Sequence, residues 1–160
     1  MSDILTEFTL NGRAVRVALP VTASLLDALR GPLHQTAAKR GCDAGQCGSC
    51  NVFVDGVAVR ACLTLACDVD GAHVTSAEGL AAPGALSVVQ QAFVDSGAIQ
   101  CGFCIPGMVV AATALLAEEP APDRARIKAG LAGTLCRCSG YTKLFEAVEL
   151  AAHRLREADR

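Results

Sequence analysis

The sequence predicts an α+β fold in which a small sheet domain is followed by a helical domain. Apolar residues alternate on both sides of two turn dipeptides, Asn11-Gly12 and Asp55-Gly56, and this pattern is typical of β-hairpins. From about residue 84 the apolar spacing changes to the steps of three and four of amphipathic helices. Gly and Pro cluster in residues 78–84, so we expect domains at 1–78 and 79–160.

The first domain is predicted to contain two hairpins, one short helix and one further strand. The hairpin strands are ILTEFTL with RAVRVAL, and NVFV with VAV. Ser24 and Asp27 resemble a capping box at the start of a helix that carries Leu25, Leu26 and Leu29. The segment HVT at residues 73–75 adds a short strand. These elements make a small α+β sheet domain.

Four helices are predicted in the second domain. Their apolar positions are, in order, Leu86, Val89 and Phe93, ended by Gly97; the run 108–117 after Cys104 and Pro106; Ile127 and Leu131 after Pro122; and Leu144, Val148, Ala151 and Leu155 from about Thr142. The run 108–117 is apolar on all sides, which indicates a helix buried between others. It is too short to span a bilayer.

Composition restricts the class of protein. The 160 residues carry a formal charge of −2 with both signs scattered, which argues against nucleic acid and membrane partners. The first residues, MSDILTEFTL, do not have the pattern of a secretory signal. We therefore expect a cytoplasmic protein without membrane insertion, in which the nine cysteines are not paired as disulfides.

The first group of cysteines lies in GCDAGQCGSC, residues 41–50. Cys42, Cys47 and Cys50 have the spacing C-x4-C-x2-C, and Cys62 follows, which is the pattern of a plant-type [2Fe-2S] site. Three glycines suit a loop that must wrap a cluster, because they accept positive φ and let backbone N–H groups approach the sulfurs; they are Gly41, Gly45 and Gly48. A zinc site, disulfides and inert core cysteines are the alternatives, and the four-residue gap disfavours zinc.

The second group consists of Cys101 and Cys104 in C-x2-C spacing, with Cys136 and Cys138 on either side of Arg137. A single intervening residue is unusual for zinc and suits two neighbouring positions on one cluster. Cys104 precedes a buried helix, whose N-terminal partial charge stabilises an anionic cluster.

The motifs GCDAGQCGSC, RACLTLA, QCGFCIPGM and LCRCSGY occur in this order between about residues 4 and 155. With them the chain resembles the iron-sulfur subunit of the molybdenum hydroxylases, the xanthine dehydrogenase family. The resemblance implies a β-grasp ferredoxin-like domain followed by a four-helix bundle, each holding one [2Fe-2S] cluster. It assigns Cys42, Cys47, Cys50 and Cys62 to an outer cluster, and Cys101, Cys104, Cys136 and Cys138 to an inner cluster.

The resemblance also implies contacts with cofactors on other subunits. Gln100 matches a glutamine that hydrogen-bonds the pterin, and Cys138 matches the ligand whose sulfur lies near it. Molybdopterin, in a dinucleotide form, is expected on a large subunit and FAD on a medium subunit, in a heterotrimer or a dimer of heterotrimers. The chain would relay single electrons from the molybdenum centre to FAD or another acceptor, with no turnover of its own. The implied substrates are N-heterocycles or purines, which we favour, and otherwise aldehydes, carbon monoxide or aryl-CoA thioesters.

Two other functions remain open from the residues alone: a free-standing ferredoxin-like carrier and a zinc-stapled interaction module. Family members commonly have Thr in place of Ile105 and Asn in place of Thr134, and neither difference removes a ligand. Cys67 belongs to neither group and is predicted to be a small buried side chain. The three histidines are expected to be exposed and without a role.

Overall fold

The computed structural model describes residues 3–158 as an α+β protein with five β-strands and five α-helices. In chain order the elements are β1 (Asp3–Leu10), β2 (Arg13–Pro20), α1 (Leu25–Arg30), β3 (Asn51–Val54), β4 (Val57–Arg60), β5 (His73–Thr75), α2 (Val88–Asp95), α3 (Ile105–Glu118), α4 (Arg124–Leu131) and α5 (Thr142–Ala158). All strands precede residue 76 and four of the helices follow residue 87, as the change in apolar spacing predicts.

The five strands form one mixed sheet in the order β2-β1-β5-β3-β4. β1 is antiparallel to β2 and parallel to β5, while β3 is antiparallel to both β4 and β5. Both predicted hairpins are confirmed. Asn11 and Gly12 have φ of 50° and 78°, and Asp55 and Gly56 have 47° and 81°, so both residues of each turn lie in the left-handed region that a type I′ turn requires.

Helix α1 begins with the predicted capping box. The Ser24 hydroxyl accepts a hydrogen bond from the Asp27 N–H at 3.1 Å, and the Asp27 carboxylate accepts one from the Ser24 N–H at 2.8 Å. The helix buries three leucines against the sheet, and these form the first core together with apolar strand residues. The largest members of this core are Phe8, Leu10, Val17, Leu25, Leu26, Leu29, Val52, Val69 and Val74.

We expect Ser24→Ala to lower the free energy of unfolding by about 1 kcal/mol, because it removes the acceptor for an N–H that the helix cannot pair internally. Urea unfolding followed by circular dichroism measures this. Ser24→Thr keeps a hydroxyl acceptor and should retain most of the stability. Equal loss in both variants would show that the cap contributes nothing specific.

The helices of the second half follow their predicted positions with one exception. Leu86 was expected on the face of the first of them, but α2 begins at Val88 with Ser87 as its N-cap, and Leu86 lies before the cap with 52% of its surface exposed. The hydroxyl of Ser87 accepts from the N–H of Gln90, whose side chain accepts from the Ser87 N–H. This second capping box fixes the start of α2, because it satisfies the first backbone donors of the helix.

A second core lies between α2, α3, α4 and α5. α3 is buried on several sides, as its apolar residues predict, and it shares this core with Phe93 of α2 and Leu144 of α5. The other large members of this core are Val89, Met108, Val109, Leu115, Leu116, Ile127, Leu131 and Val148. Within residues 3–158 none of the helices has the length and apolar character needed to cross a membrane.

Candidate functional site

The loop that carries the first cysteine group is shaped by three glycines, in two different ways. Gly45 and Gly48 have φ of +73° and +68°, the left-handed conformation predicted for them. Gly41 does not have positive φ, so the expectation was wrong for it in this respect. A larger residue would not fit at this position, because a Cβ at Gly41 would lie 2.7 Å from the Cys47 Sγ. Glycine therefore lets the chain pass close to a thiol.

An ion-pair network ties this loop to α1. The Arg40 guanidinium lies 2.5 Å from the Asp27 carboxylate on α1 and also pairs with Asp43, which follows Cys42. Asp43 has φ of +55°, an uncommon conformation for a residue other than glycine. Arg40 thus connects the capping box of α1 to the segment that bears the first thiol.

The structure brings the first group of thiols together. The Cys42 Sγ accepts hydrogen bonds from the N–H groups of Ala44 at 3.4 Å and Cys47 at 3.3 Å, and these lower the pKa of the Cys42 thiol to about 7. Cys50 is buried next to Cys62, and burial raises the pKa of the Cys50 thiol to about 11. The first group therefore combines an exposed thiol whose pKa is lowered, Cys42, with a buried thiol whose pKa is raised, Cys50. A nearby cation would favour the thiolate form of the buried one.

The second group of thiols is assembled in the same manner. The Sγ atoms of Cys101 and Cys138 are 3.4 Å apart although 37 residues separate them in the chain. Cys104 is the N-cap of α3 and faces Cys136; burial raises the pKa of the Cys104 thiol to about 12. The pKa of Cys101 is lowered, chiefly by a hydrogen bond from the Phe103 N–H.

Two residues that the sequence analysis did not single out surround Cys136. The Ser139 hydroxyl lies 3.1 Å from the Cys136 Sγ, and the Ser139 N–H donates to that sulfur at 3.4 Å. Burial alone would raise the pKa of Cys136, but hydrogen bonds with Ser139, with the Cys138 N–H and with Cys104 together outweigh it and lower the pKa. The Tyr141 hydroxyl accepts a hydrogen bond from the Cys136 N–H at 2.9 Å. Both residues lie in the motif LCRCSGY, so the motif marks their neighbourhood but not their roles.

The two loops also touch each other. The Leu135 N–H, next to Cys136, donates to the Cys47 carbonyl at 2.8 Å. Gly48 and Gly107 meet at the same place, since a Cβ at Gly107 would clash with the Gly48 carbonyl. One hydrogen bond therefore joins a cysteine of the first group to the backbone of the second.

The remaining predicted residues are exposed or half-buried. Gln100 is exposed beside Cys101, and Cys138 is exposed as well. Cys67 is only half-buried, with its Sγ 3.7 Å from the Val21 carbonyl, so the expectation of a buried side chain was wrong. The histidines are exposed, as expected; they are His34, His73 and His153.

Both groups of thiols fit a [2Fe-2S] cluster. Within residues 3–158 no three His, Cys, Asp or Glu side chains surround a point suited to a single metal ion. A [2Fe-2S] cluster places different demands on its ligands, because four thiolates are shared between two irons. Each group offers four unpaired cysteines on converging segments, with backbone N–H donors to sulfur. Hydrogen bonds of this kind stabilise a thiolate-bound cluster.

For a cluster held by the second group, we expect Ser139→Ala to lower the reduction potential by about 40 mV. The hydroxyl stabilises the more negative, reduced form more than the oxidised form, and about 1 kcal/mol corresponds to this shift for one electron. A redox titration followed by electron paramagnetic resonance (EPR) measures the potential. The cluster of the first group is the internal control and should not shift. An unchanged potential for the second cluster would show that the Ser139 hydroxyl does not act on it.

Two family models match the chain. The first, described as a 2Fe-2S iron-sulfur cluster binding domain, covers residues 8–81, and the second, described as a [2Fe-2S] binding domain, covers residues 76–149. Together they span both groups of cysteines.

Two relatives match over nearly their whole length. The small FeS subunit of nicotinate dehydrogenase from Eubacterium barkeri is 40% identical over 154 residues, which is 96% of this chain and 98% of that protein. The iron-sulfur-binding subunit of xanthine dehydrogenase from Escherichia coli O157:H7 is 44% identical, covering 91% of this chain and 92% of that one. The crystal structure of quinoline 2-oxidoreductase from Pseudomonas putida 86 contains a similar chain with a TM-score of 0.93 at 36% identity, covering 100% of both.

Proposed function

Since this chain belongs to the family of small [2Fe-2S] subunits of the molybdenum hydroxylases, we propose that its two groups of cysteines each hold one cluster of a two-step electron relay. The chain is an electron-transfer subunit of a molybdopterin-dependent oxidoreductase. When bound, each [2Fe-2S] cluster accepts and releases one electron at a time. The protein residues hold the clusters, set their potentials and fix their separation.

The assignment of ligands follows the two groups. We assign Cys42, Cys47, Cys50 and Cys62 to the outer cluster, and Cys101, Cys104, Cys136 and Cys138 to the inner cluster. The observation that carries the proposal is the direct junction between the groups, the 2.8 Å hydrogen bond from the Leu135 N–H to the Cys47 carbonyl. A relay needs its two sites at a fixed short separation, and a direct hydrogen bond between the two loops supports the proposal for that reason.

The surface around the second group suits a protein partner. Phe103 lies between Cys101 and Cys104 in the chain and Leu135 precedes Cys136, with 46% and 53% of their surfaces exposed. Large apolar side chains exposed beside a functional site are consistent with an interface. Gln100 and Cys138 are exposed on the same loops. We infer that this surface faces the molybdopterin subunit, with Gln100 hydrogen-bonded to the pterin and Cys138 close to it.

The wider assembly is part of the same proposal. We place FAD on a third subunit that receives electrons from the outer cluster, in a heterotrimer or a dimer of heterotrimers in the cytoplasm. We place the domain boundary near residue 78, between the two cores, and describe α2 to α5 as the four-helix bundle that holds the inner cluster. The separate memberships of the two cores support this division.

For the substrate of the complex we propose an aromatic N-heterocycle. Three proteins similar to this chain are named for nicotinate, xanthine and quinoline, which all belong to this class. Others are named as aldehyde oxidoreductases, at 35–42% identity. Bleaching of the cluster absorbance of the complex by nicotinate, xanthine or quinoline, but not by an aldehyde, is the expected result. Bleaching by the aldehyde alone would overturn this part of the proposal.

The relay is tested by iron and acid-labile sulfide analysis with EPR of the dithionite-reduced protein, purified anaerobically from its native host. We expect about four irons per chain, two distinguishable [2Fe-2S] signals, and copurification of molybdenum and flavin. Zinc in place of iron would overturn the relay and favour an interaction module stabilised by zinc. Two clusters in a chain that never copurifies with molybdenum would favour a free-standing carrier.

A further inference from the structure

Arg60 contacts both cysteine loops at once. It ends β4, and its guanidinium donates to the Gly45 carbonyl in the first loop at 3.2 Å and to the Gly133 carbonyl next to the second loop at 2.7 Å. A third hydrogen bond reaches the Asn51 side chain. The planar guanidinium group of an arginine can donate to three acceptors in different directions, whereas a lysine ammonium is a single compact charge.

Asn51 completes the bridge from the other side. Its side chain is buried at the start of β3 and donates to the Gly107 carbonyl on α3 and to the Thr134 hydroxyl, both at 3.2 Å. These partners are 56 and 83 residues away in sequence. Arg60 and Asn51 therefore form one network that joins the sheet, the first loop, α3 and the segment before Cys136.

The network surrounds the junction between the two groups. Gly133 and Thr134 immediately precede Leu135, whose N–H donates to the Cys47 carbonyl. Gly45 lies two residues before Cys47. Arg60 thus binds the chain two residues before each end of the hydrogen bond that joins the two loops. Site geometry depends on such supporting contacts, because a ligand loop shifts when they are removed.

Arg60 also has a charge with no carboxylate partner among the residues that the structure describes. Its acceptors are neutral carbonyl and amide oxygens. Glu118 and Arg126 line the same cleft, and they pair with each other at 2.9 Å. Arg60 is half-buried, where screening by solvent is reduced, so its positive charge favours added negative charge nearby.

We propose that Arg60 is a positioning residue of the relay: it holds the two cysteine loops at a fixed separation and stabilises the reduced outer cluster. The inference rests on the proposed function, because it takes the two loops as cluster-binding. Reduction of the outer cluster adds one negative charge close to the Gly45 and Cys47 segment that Arg60 holds. No contact between Arg60 and a substrate is required.

The test compares Arg60→Gln with Arg60→Lys in the assembled complex. Iron content, the reduction potentials of both clusters and the magnetic splitting between the two reduced clusters are measured by EPR. We expect Arg60→Gln to keep its iron, to lower the potential of the outer cluster more than that of the inner one, and to change the splitting. Arg60→Lys keeps the charge but cannot bridge three acceptors, so its potential should stay closer to wild type while the splitting changes.

The control is Arg13→Gln, which removes the same charge from an exposed position in the first hairpin. If both Arg60 variants match it in potentials and splitting, the inference is overturned while the relay stands. If Arg60→Gln does not assemble, an unchanged splitting in Arg60→Lys overturns the positioning role. Wild-type protein without iron would overturn the relay and this inference together.

Discussion

Gly48→Ala is expected to lower the free energy of unfolding by about 2–4 kcal/mol and to release iron from both clusters. Gly48 has φ of +68°, which costs a residue with a Cβ about 1 kcal/mol. The added Cβ would also lie 2.5 Å from the Gly133 carbonyl and 2.9 Å from the Thr134 Cα, and overpacking against backbone costs about 1–3 kcal/mol more. The first loop would have to move away from the second. Urea unfolding and iron analysis measure both effects.

Gly56→Ala is the matched control. Gly56 has φ of +81° in the second hairpin, and nothing lies within 4 Å of its would-be Cβ, so it isolates the backbone penalty of about 1 kcal/mol. Full iron content is expected for this variant. If Gly48→Ala loses no more stability than Gly56→Ala and keeps its iron, the two cysteine loops are not in tight contact.

Gly107→Ala tests the contact between the two loops from the side of α3. Alanine is the better helix former by about 1 kcal/mol, so propensity alone would favour this substitution. The structure predicts the opposite, because the Cβ would clash with the Gly48 carbonyl. A variant less stable than wild type would therefore measure the packing between the loops rather than any property of the helix.

The local elements were predictable because their signals lie within a few residues of each other. The turn dipeptides Asn11-Gly12 and Asp55-Gly56 require left-handed backbone, and the Ser24 cap pairs with Asp27 three residues later. The one misplaced position, Leu86, has the apolar spacing of α2 but precedes the N-cap of that helix. The Ser87 hydroxyl caps a helix that begins at Val88, and Leu86 therefore lies outside it.

The contacts between the loops were not predictable from the same signals. Arg60 donates a hydrogen bond to Gly133, which is 73 residues away in sequence, and Asn51 donates one to Thr134, which is 83 residues away. An arginine at the end of a strand has the pattern of an ordinary exposed charge until the fold places three acceptors around it. Spacing indicated the cysteines, because the ligands of one loop are close in sequence, but it contained nothing about what holds the two loops together.

Cys104→Ser is expected to remove the inner cluster and leave the outer one. A serine hydroxyl is a poor ligand for iron in a site built for soft thiolates, so about half of the iron and sulfide should be lost, together with one of two EPR signals. Cys104 is buried at the start of α3, and reduction of the outer cluster by substrate should fail because the relay is interrupted. Iron analysis, EPR and substrate reduction measure these three effects.

Cys67→Ser gives the matched comparison, since it makes the same atomic change outside both groups. The Sγ of Cys67 lies 3.7 Å from the Val21 carbonyl, which a serine hydroxyl can also approach as a donor. Full iron, two EPR signals and normal reduction by substrate are expected. Loss of iron from this variant would make Cys67 a ligand. Two intact clusters in Cys104→Ser would remove Cys104 from the set, and the assignment of the inner cluster would have to be revised.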